Sequence, residues 1–325
     1  MLGVIIGKFY PPHVGHGFLI ETGLAHCEEL VVIVCDHPDQ AISGVIRANW
    51  LQQQFPTVRV VVTPDDLPDA PVPWAERTIE ILGRSPDRVF TSEEYGPGYA
   101  NAMRCRHISV DQPRSTFPVS ATMIREDPLS RLHLLLPTVR RDFVVRVVLI
   151  GVESTGKSTM AEALANRLET RWVPEFGREY SGTKTDSWNT ADFVVIAQRQ
   201  QEMENSAAED AKRVLICDTN AVATSVWHRR YMGVYSEQVD AIAQQDRVDL
   251  YLLTTPDFPF VQDGTRDGEH IRHEMHTWFE ERLNNQTAQV VRLKGDHESR
   301  LQTALEAIEL VSQQKADSLF TKPKR

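Results

Sequence analysis

The chain predicts an α/β protein of two doubly wound parallel-sheet domains in tandem, and three observations carry that prediction. Short apolar, β-branched runs alternate with helix-patterned stretches, which is the sequence form of a parallel sheet covered by helices. The alternation restarts in the middle of the 325 residues, more chain than one hydrophobic core usually serves. A phosphate-type loop follows the first strand of each half: G-K-F-Y-P-P-H-V-G-H from Gly7 to His16, and G-V-E-S-T-G-K-S from Gly151 to Ser158. Two nucleotide sites, rather than one, follow from that placement.

In the first half the strand candidates are 4–9, 30–35, 58–63 and 88–92, with a shorter one at 107–111. The second half offers 144–150, 171–174, 214–218, 248–254 and 289–293, with helices between most of them. Leu129 to Leu136 reads as a helix that Pro137 stops, so the join falls near Pro137 to Asp142. Domains over 1–138 and 139–314 result, followed by a flexible tail over 315–325 that ends T-K-P-K-R.

A net charge of −10 argues against bulk binding to nucleic acid or to anionic membrane, and leaves room for local basic pockets. The four cysteines, Cys27, Cys35, Cys105 and Cys217, form no C-x-x-C pair, which suits a reducing cytoplasm. No apolar run approaches the roughly 20 residues that cross a bilayer, and no signal-type segment opens the chain. The expectation is a soluble cytoplasmic protein with neither nucleic acid nor membrane as partner; homo-oligomerisation stays open.

The second loop matches the Walker A pattern at every defined position. Gly151 and Gly156 permit tight turns, Glu153, Ser154 and Thr155 supply backbone amides between them, and a helix opening at Lys157 favours anions at its N-terminus. Lys157 would reach the β- and γ-phosphates of ATP, Ser158 would ligate Mg²⁺, and Thr159 continues the helix. V-L-I-C-D, closing on Asp218, has the form of a strand-end acid that holds the metal. Glu175 lies just past the second strand, at the carboxyl edge where open α/β sheets bind ligands. It would orient or deprotonate an acceptor hydroxyl, whereas Arg178 and Glu179 fit a surface ion pair equally well. The segment 257–272, with Arg266 between two glycines, has the composition of a cationic lid and equally of a solvated connection. Trp50, Trp188, Trp227 and Trp278 read as core or edge residues. Tyr231 and Tyr235 are candidates for a pocket wall that no spacing demands.

The first loop has no Walker lysine. Its histidines, His13 and His16, stand where imidazolium groups would stabilise charge on phosphate oxygens, and no third ligand at a zinc spacing lies nearby. V-S-A-T-M-I-R, Val119 to Arg125, offers the other half of such a site: Ser120 and Thr122 at a helix start, Arg125 about one turn in. An ordinary N-cap accounts for that segment taken alone.

Together these motifs carry a resemblance over nearly the whole chain. The histidine loop with V-S-A-T-M-I-R resembles the paired motifs of the nucleotidyltransferase superfamily, and the P-loop half with E-F-G-R-E-Y and C-D-T resembles the kinase half of NadR-type proteins. T-S-E-E, Thr91 to Glu94, also looks like that family's adenylyltransferase domain. The resemblance implies an N-terminal Rossmann-like nicotinamide mononucleotide (NMN) adenylyltransferase and a C-terminal ribosylnicotinamide kinase, with Mg²⁺ as cofactor and ATP, nicotinamide riboside, NMN and NAD as ligands. It implies that Gly7, Lys8, Phe9, His13, His16, Ser120, Thr122 and Arg125 surround the ATP phosphates, and that Trp74 lies near the nicotinamide ring. In the kinase half it implies phosphate and metal roles for the 151–159 loop and Asp218, substrate contacts from Glu175, Arg178 and Asp218, and a lid role for Arg266. The family's best-known architecture opens with a DNA-binding helix-turn-helix, whereas here the first strand follows Met1 almost directly, so the expectation is an enzyme and not a repressor. A nucleotide-sensing, catalytically weak first domain is the alternative.

Overall fold

Leu2, Val4, Ile5 and Ile6 are buried on both faces of one strand, as the centre of a parallel sheet requires. This strand, β1 (Leu2–Gly7), pairs with β2 (Glu29–Asp36) on one side and β4 (Arg88–Thr91) on the other. With β3 (Arg59–Pro64) and β5 (Arg106–Ser109) they form a parallel sheet of order β3-β2-β1-β4-β5. The order reverses at β1, so a crevice opens beyond its carboxyl end. The computed structural model describes residues 1–262 and 268–322, and the chain divides into two compact units, Met1–Phe143 with Ala316–Arg325, and Val144–Lys315.

The second unit repeats the plan. β6 (Val145–Ile150), buried along its whole length, sits at the centre of a parallel sheet of order β10-β9-β6-β8-β7. Its neighbours are β7 (Arg171–Val173), β8 (Val214–Asp218), β9 (Leu250–Thr254) and β10 (Gln289–Leu293). Strands stand at all ten places where apolar runs predict them, and both sheets are doubly wound.

Three local expectations need correction. β1 ends at Gly7 because Phe9 takes a left-handed φ of 47°, so Lys8 and Phe9 belong to the loop. Pro137 begins a helix, Pro137–Phe143, instead of ending one, and only a 3₁₀ turn at Leu132–Leu134 precedes it. Proline lacks the N–H that a first helical residue leaves unpaired anyway, and its fixed φ suits that position. The last helix runs from His297 to Leu319, past the point where the sequence suggests a flexible tail. Phe320 then packs edge-on against Tyr10 at 5.4 Å and Phe143 at 5.7 Å, and the end of the expected tail, 323–325, lies outside the described residues. Among the described residues no helix is long and apolar enough to cross a membrane.

Candidate active sites

In the second unit the loop after β6 turns back on itself at two glycines. Gly151 has φ 144°, and a Cβ there would sit 2.7 Å from the Thr254 carbonyl oxygen, so only glycine fits; Gly156 has φ 79°. Thr155 Oγ donates to Val152 O at 2.8 Å and shares a 2.7 Å hydrogen bond with Thr254, fastening the loop to the end of β9. The helix Lys157–Arg167 starts directly after it and aims its free amides at the loop.

Lys157 Nζ donates to Val152 O at 2.9 Å. Burial pulls its pKa down, while the charges of Glu175 and Asp218 pull it back up. Burial raises the Glu175 carboxyl above the usual carboxylate range, against the opposing charge of Lys157. Asp218 is buried at the end of β8, and its Oδ1 has no hydrogen-bond partner among the described residues. A carboxylate oxygen in that state calls for a cation or water. Glu153 to Thr159, Glu175 and Arg178 line a cavity of about 350 Å³, the size range of small-ligand sites.

Not every residue of the loop faces that cavity in the expected way. Glu153 Oε2 accepts the Gly268 N–H at 2.9 Å, and Ser154 Oγ accepts that of Val261 at 2.7 Å. Arg272 donates to Ser154 O at 2.9 Å and Phe258 O at 2.8 Å. These two loop residues therefore hold the segment after β9 by side chain, leaving their backbone amides for phosphate. Arg266, expected to act from a lid, lies outside the described residues. Arg178 reaches Glu175 at 4.0 Å, so its ion pair points into the site.

Tyr231, a candidate for the pocket wall from the sequence, lines the cavity with three residues that sequence reasoning did not place there, Trp188, Phe193 and Trp227. Trp188 and Trp227 both stack on Tyr231, at 5.2 and 6.4 Å. Trp227 and Tyr231 lie four apart on the helix Ala221–Met232, whereas Trp188 and Phe193 come from elsewhere in the chain, so only the fold brings the four together. Tyr235 instead stacks against Arg229 and Arg282, at 5.1 and 4.7 Å.

In the first unit the helix Val14–His26 opens at the crevice beyond β1, with His13 as N-cap and His16 in its first turn. The two rings stack at 3.7 Å, and His16 Nδ1 accepts the His13 backbone N–H at 3.2 Å. That bond leaves Nε2 to carry the proton of a neutral His16. Burial lowers the His13 pKa to about 4, with help from Arg114, and burial and the His13 charge hold His16 well below its ordinary value. Both are neutral at pH 7, not the imidazolium pair the sequence suggests.

Ser120 caps the helix Ala121–Glu126 by accepting from Met123 N at 3.2 Å. Arg125 donates to Tyr10 O at 2.6 Å and to Thr122 Oγ at 2.9 Å, which ties this helix to the histidine loop. Lys8 is exposed and pairs with Asp65 at 3.1 Å. Trp74 packs half-buried against the core of the sheet. A second missed residue is Arg47, fully buried, which donates to Asp36 at 2.8 Å, to Cys35 O at 3.1 Å and to Lys8 O. It fixes the loop from below, and the Tyr10 ring lies 5.5 Å from Arg47 and 5.4 Å from Arg125.

With this geometry in place, comparison with known proteins gives three results. Residues 146–300 match the model of a family described as AAA domain. The chain is 30% identical, over 95% of its own length and 82% of the relative's, to the Trifunctional NAD biosynthesis/regulator protein NadR of Escherichia coli (strain K12). The protein of that name from Salmonella typhimurium is 29% identical over 96% and 83%. Among solved structures, NadR protein in complex with NR superposes with a TM-score of 0.72 at 21% identity, covering all of this chain and 97% of that one. NadR protein in complex with NAD and AMP-PNP gives 0.70 at 21% identity, covering all of this chain and 98% of that one.

Proposed function

Because this chain belongs to the NadR family, whose named members are NAD biosynthesis proteins, we propose that it is a bifunctional enzyme of NAD salvage. The second unit phosphorylates nicotinamide riboside with ATP to give NMN and ADP. The first unit joins NMN to the adenylyl group of a second ATP, giving NAD and pyrophosphate. The observation that carries the reading is that Lys157 and Glu175 line one cavity together with Trp188, Trp227 and Tyr231, while the unpartnered Asp218 oxygen lies near enough for its charge to act on both.

Phosphoryl transfer depends on positioning and on charge stabilisation more than on covalent chemistry. Loop amides and Lys157 cradle the β- and γ-phosphates at the helix N-terminus. Glu175, its pKa raised by burial, takes the proton of the riboside 5′-hydroxyl as that oxygen bonds to the γ-phosphorus and the bond to the ADP oxygen breaks. Ser158 and Asp218 Oδ1 would hold Mg²⁺, which would supply positive charge to neutralise that of the phosphates. The Trp188, Trp227 and Tyr231 faces suit the positively charged pyridine ring of the riboside.

In the first unit a phosphate oxygen of NMN attacks the α-phosphorus of ATP and pyrophosphate leaves. His16 Nε2–H donates to the phosphates, His13 stacks behind it, and Arg125 and Lys8 add positive charge around the same loop. Incubating the full chain with nicotinamide riboside and Mg-ATP, and following NMN and then NAD by chromatography, tests the whole reading. The absence of both products refutes it.

A further inference from the structure

Behind Glu175 stands a set of buried polar side chains for which phosphoryl transfer has no direct use. Glu175 is the N-cap residue of the helix Phe176–Thr183, yet no side chain within that helix start caps it. The first amides of a helix need acceptors, and the first of all, that of Phe176, is out of reach of the usual N-cap bond. Gln200 meets it. Its Oε1 accepts the Phe176 N–H at 2.9 Å from the neighbouring helix Thr190–Asp210. Its Nε2 donates to Glu204 Oε1 at 3.2 Å, one turn further along. Gln200 is 1% exposed and forms part of the cavity wall, so both ends of its amide are committed in one orientation.

Glu204 is itself buried. Arg146 on β6, Cys217 on β8, Tyr251 on β9 and Asp246 surround it electrostatically. Burial first, and the Asp246 charge second, raise its carboxyl well above the usual range. Asp246 is fixed in turn by Gln201 and Asn220, each donating at 2.9 Å. The acceptor behind Gln200 is thus buried among charged and polar groups that act on it from three strands.

We propose that Gln200, backed by Glu204, is a positioning residue for riboside phosphorylation: by accepting the Phe176 N–H it anchors the backbone immediately after Glu175, and so fixes the point from which the Glu175 carboxyl faces Lys157 and the substrate hydroxyl. The proposal rests on the kinase reading of the second unit. Gln200→Met keeps the volume and removes both hydrogen bonds, loosening the backbone that carries Glu175. Riboside kcat should fall by roughly 10- to 100-fold, as expected for small displacements of a reacting group, while KM for ATP stays within about threefold.

Glu204→Gln preserves a neutral acceptor and should keep kcat within about threefold of the parent, whereas Glu204→Leu should match Gln200→Met. Amide hydrogen exchange at Phe176 should quicken in Gln200→Met. An unchanged kcat in that variant, or Glu204→Gln as damaging as Glu204→Leu, overturns the proposal. If the unmodified chain phosphorylates no riboside, the kinase reading falls by itself. Exchange at Phe176 then decides the cap: faster exchange in Gln200→Met supports it, and unchanged exchange overturns it.

Discussion

The imidazoles of His13 and His16 stack with their centroids 3.7 Å apart, and burial of the pair favours the neutral form of both rings. Two imidazolium ions at that separation repel, and burial removes the water that would screen them. Incoming polyphosphate reverses the balance by placing negative charge beside them. Pyrophosphate or ATP binding to the first unit should therefore take up protons between about pH 5 and 7. Titration calorimetry on Lys157→Ala protein, in two buffers of different ionisation enthalpy, measures it directly. Identical heats in both buffers would count against a role for the pair at the phosphates.

The same residues set an acid limit on stability. In the unfolded chain His13 takes a proton near its ordinary 6.5, whereas the folded state resists until about 4. The unfolded state therefore binds more protons throughout that window, and stability falls as pH drops through it while remaining full above it. The loss for His13 is at most about 3–4 kcal/mol, reached only below pH 4. Urea unfolding of the first unit at pH 7 and pH 5 should show that decline, and His13→Asn should flatten it.

The two chemistries should separate by mutation. His16→Ala is expected to lower NAD formation from NMN and ATP by roughly 100- to 1,000-fold, the scale for losing a donor to a developing negative charge, and to spare riboside phosphorylation. Lys157→Ala should do the reverse. Loss of both activities from either change would sink the assignment of one reaction to each unit.

What sequence revealed here and what it hid follow from the range of the interactions. Most of the ten strands are local apolar runs, Arg106–Ser109 being a polar exception at a sheet edge, and Gly151, Lys157 and Asp218 are marked by residue type within a few positions of a strand end. Pro137 misled because its missing N–H serves a helix start as well as a helix stop, and a single sequence does not say on which side the helix lies. Trp188 and Tyr231, or Gln200 and the Phe176 amide, meet only after separate elements pack. No period or short spacing encodes such pairs. Arg47 was illegible for the same reason: a lone arginine within a helix pattern looks solvated until Asp36 and the Lys8 carbonyl close around it.

Arg300 is another residue of that kind. Its guanidinium donates at 3.0 Å to the carbonyls of Thr155 and Thr255, and at 3.2 Å to Asp257, from within the last helix. Removing it leaves the Thr155 and Thr255 carbonyls without that donor, while Asp257 keeps the Gly295 N–H at 3.0 Å, so Arg300→Leu should cost the second unit roughly 2–4 kcal/mol. The variant should also weaken AMP-PNP binding, because Thr155 belongs to the phosphate loop. Thermal unfolding and equilibrium binding read the two effects; an unchanged melting temperature would show that the loop is held by its glycines and threonines alone.

The aromatic wall makes a prediction about the substrate's charge. Trp188, Trp227 and Tyr231 line the cavity, and their rings already draw cations, with Lys184 5.5 Å from the Trp188 ring and Arg230 5.1 Å from each of the other two. A cationic pyridine ring gains from them where a neutral ring of the same shape gains only burial. Reduced nicotinamide riboside, whose ring carries no charge, should therefore bind more weakly than the oxidised form. A cation–π difference of about 0.5–2 kcal/mol corresponds to roughly 2- to 30-fold in affinity. Trp188→Leu should narrow that ratio while raising KM for oxidised riboside and leaving KM for ATP nearly unchanged, since the phosphate loop is a separate stretch of the lining. Equal affinity for the two riboside forms in the unmodified chain would show that the wall selects by shape and area, and that its charge preference plays no part.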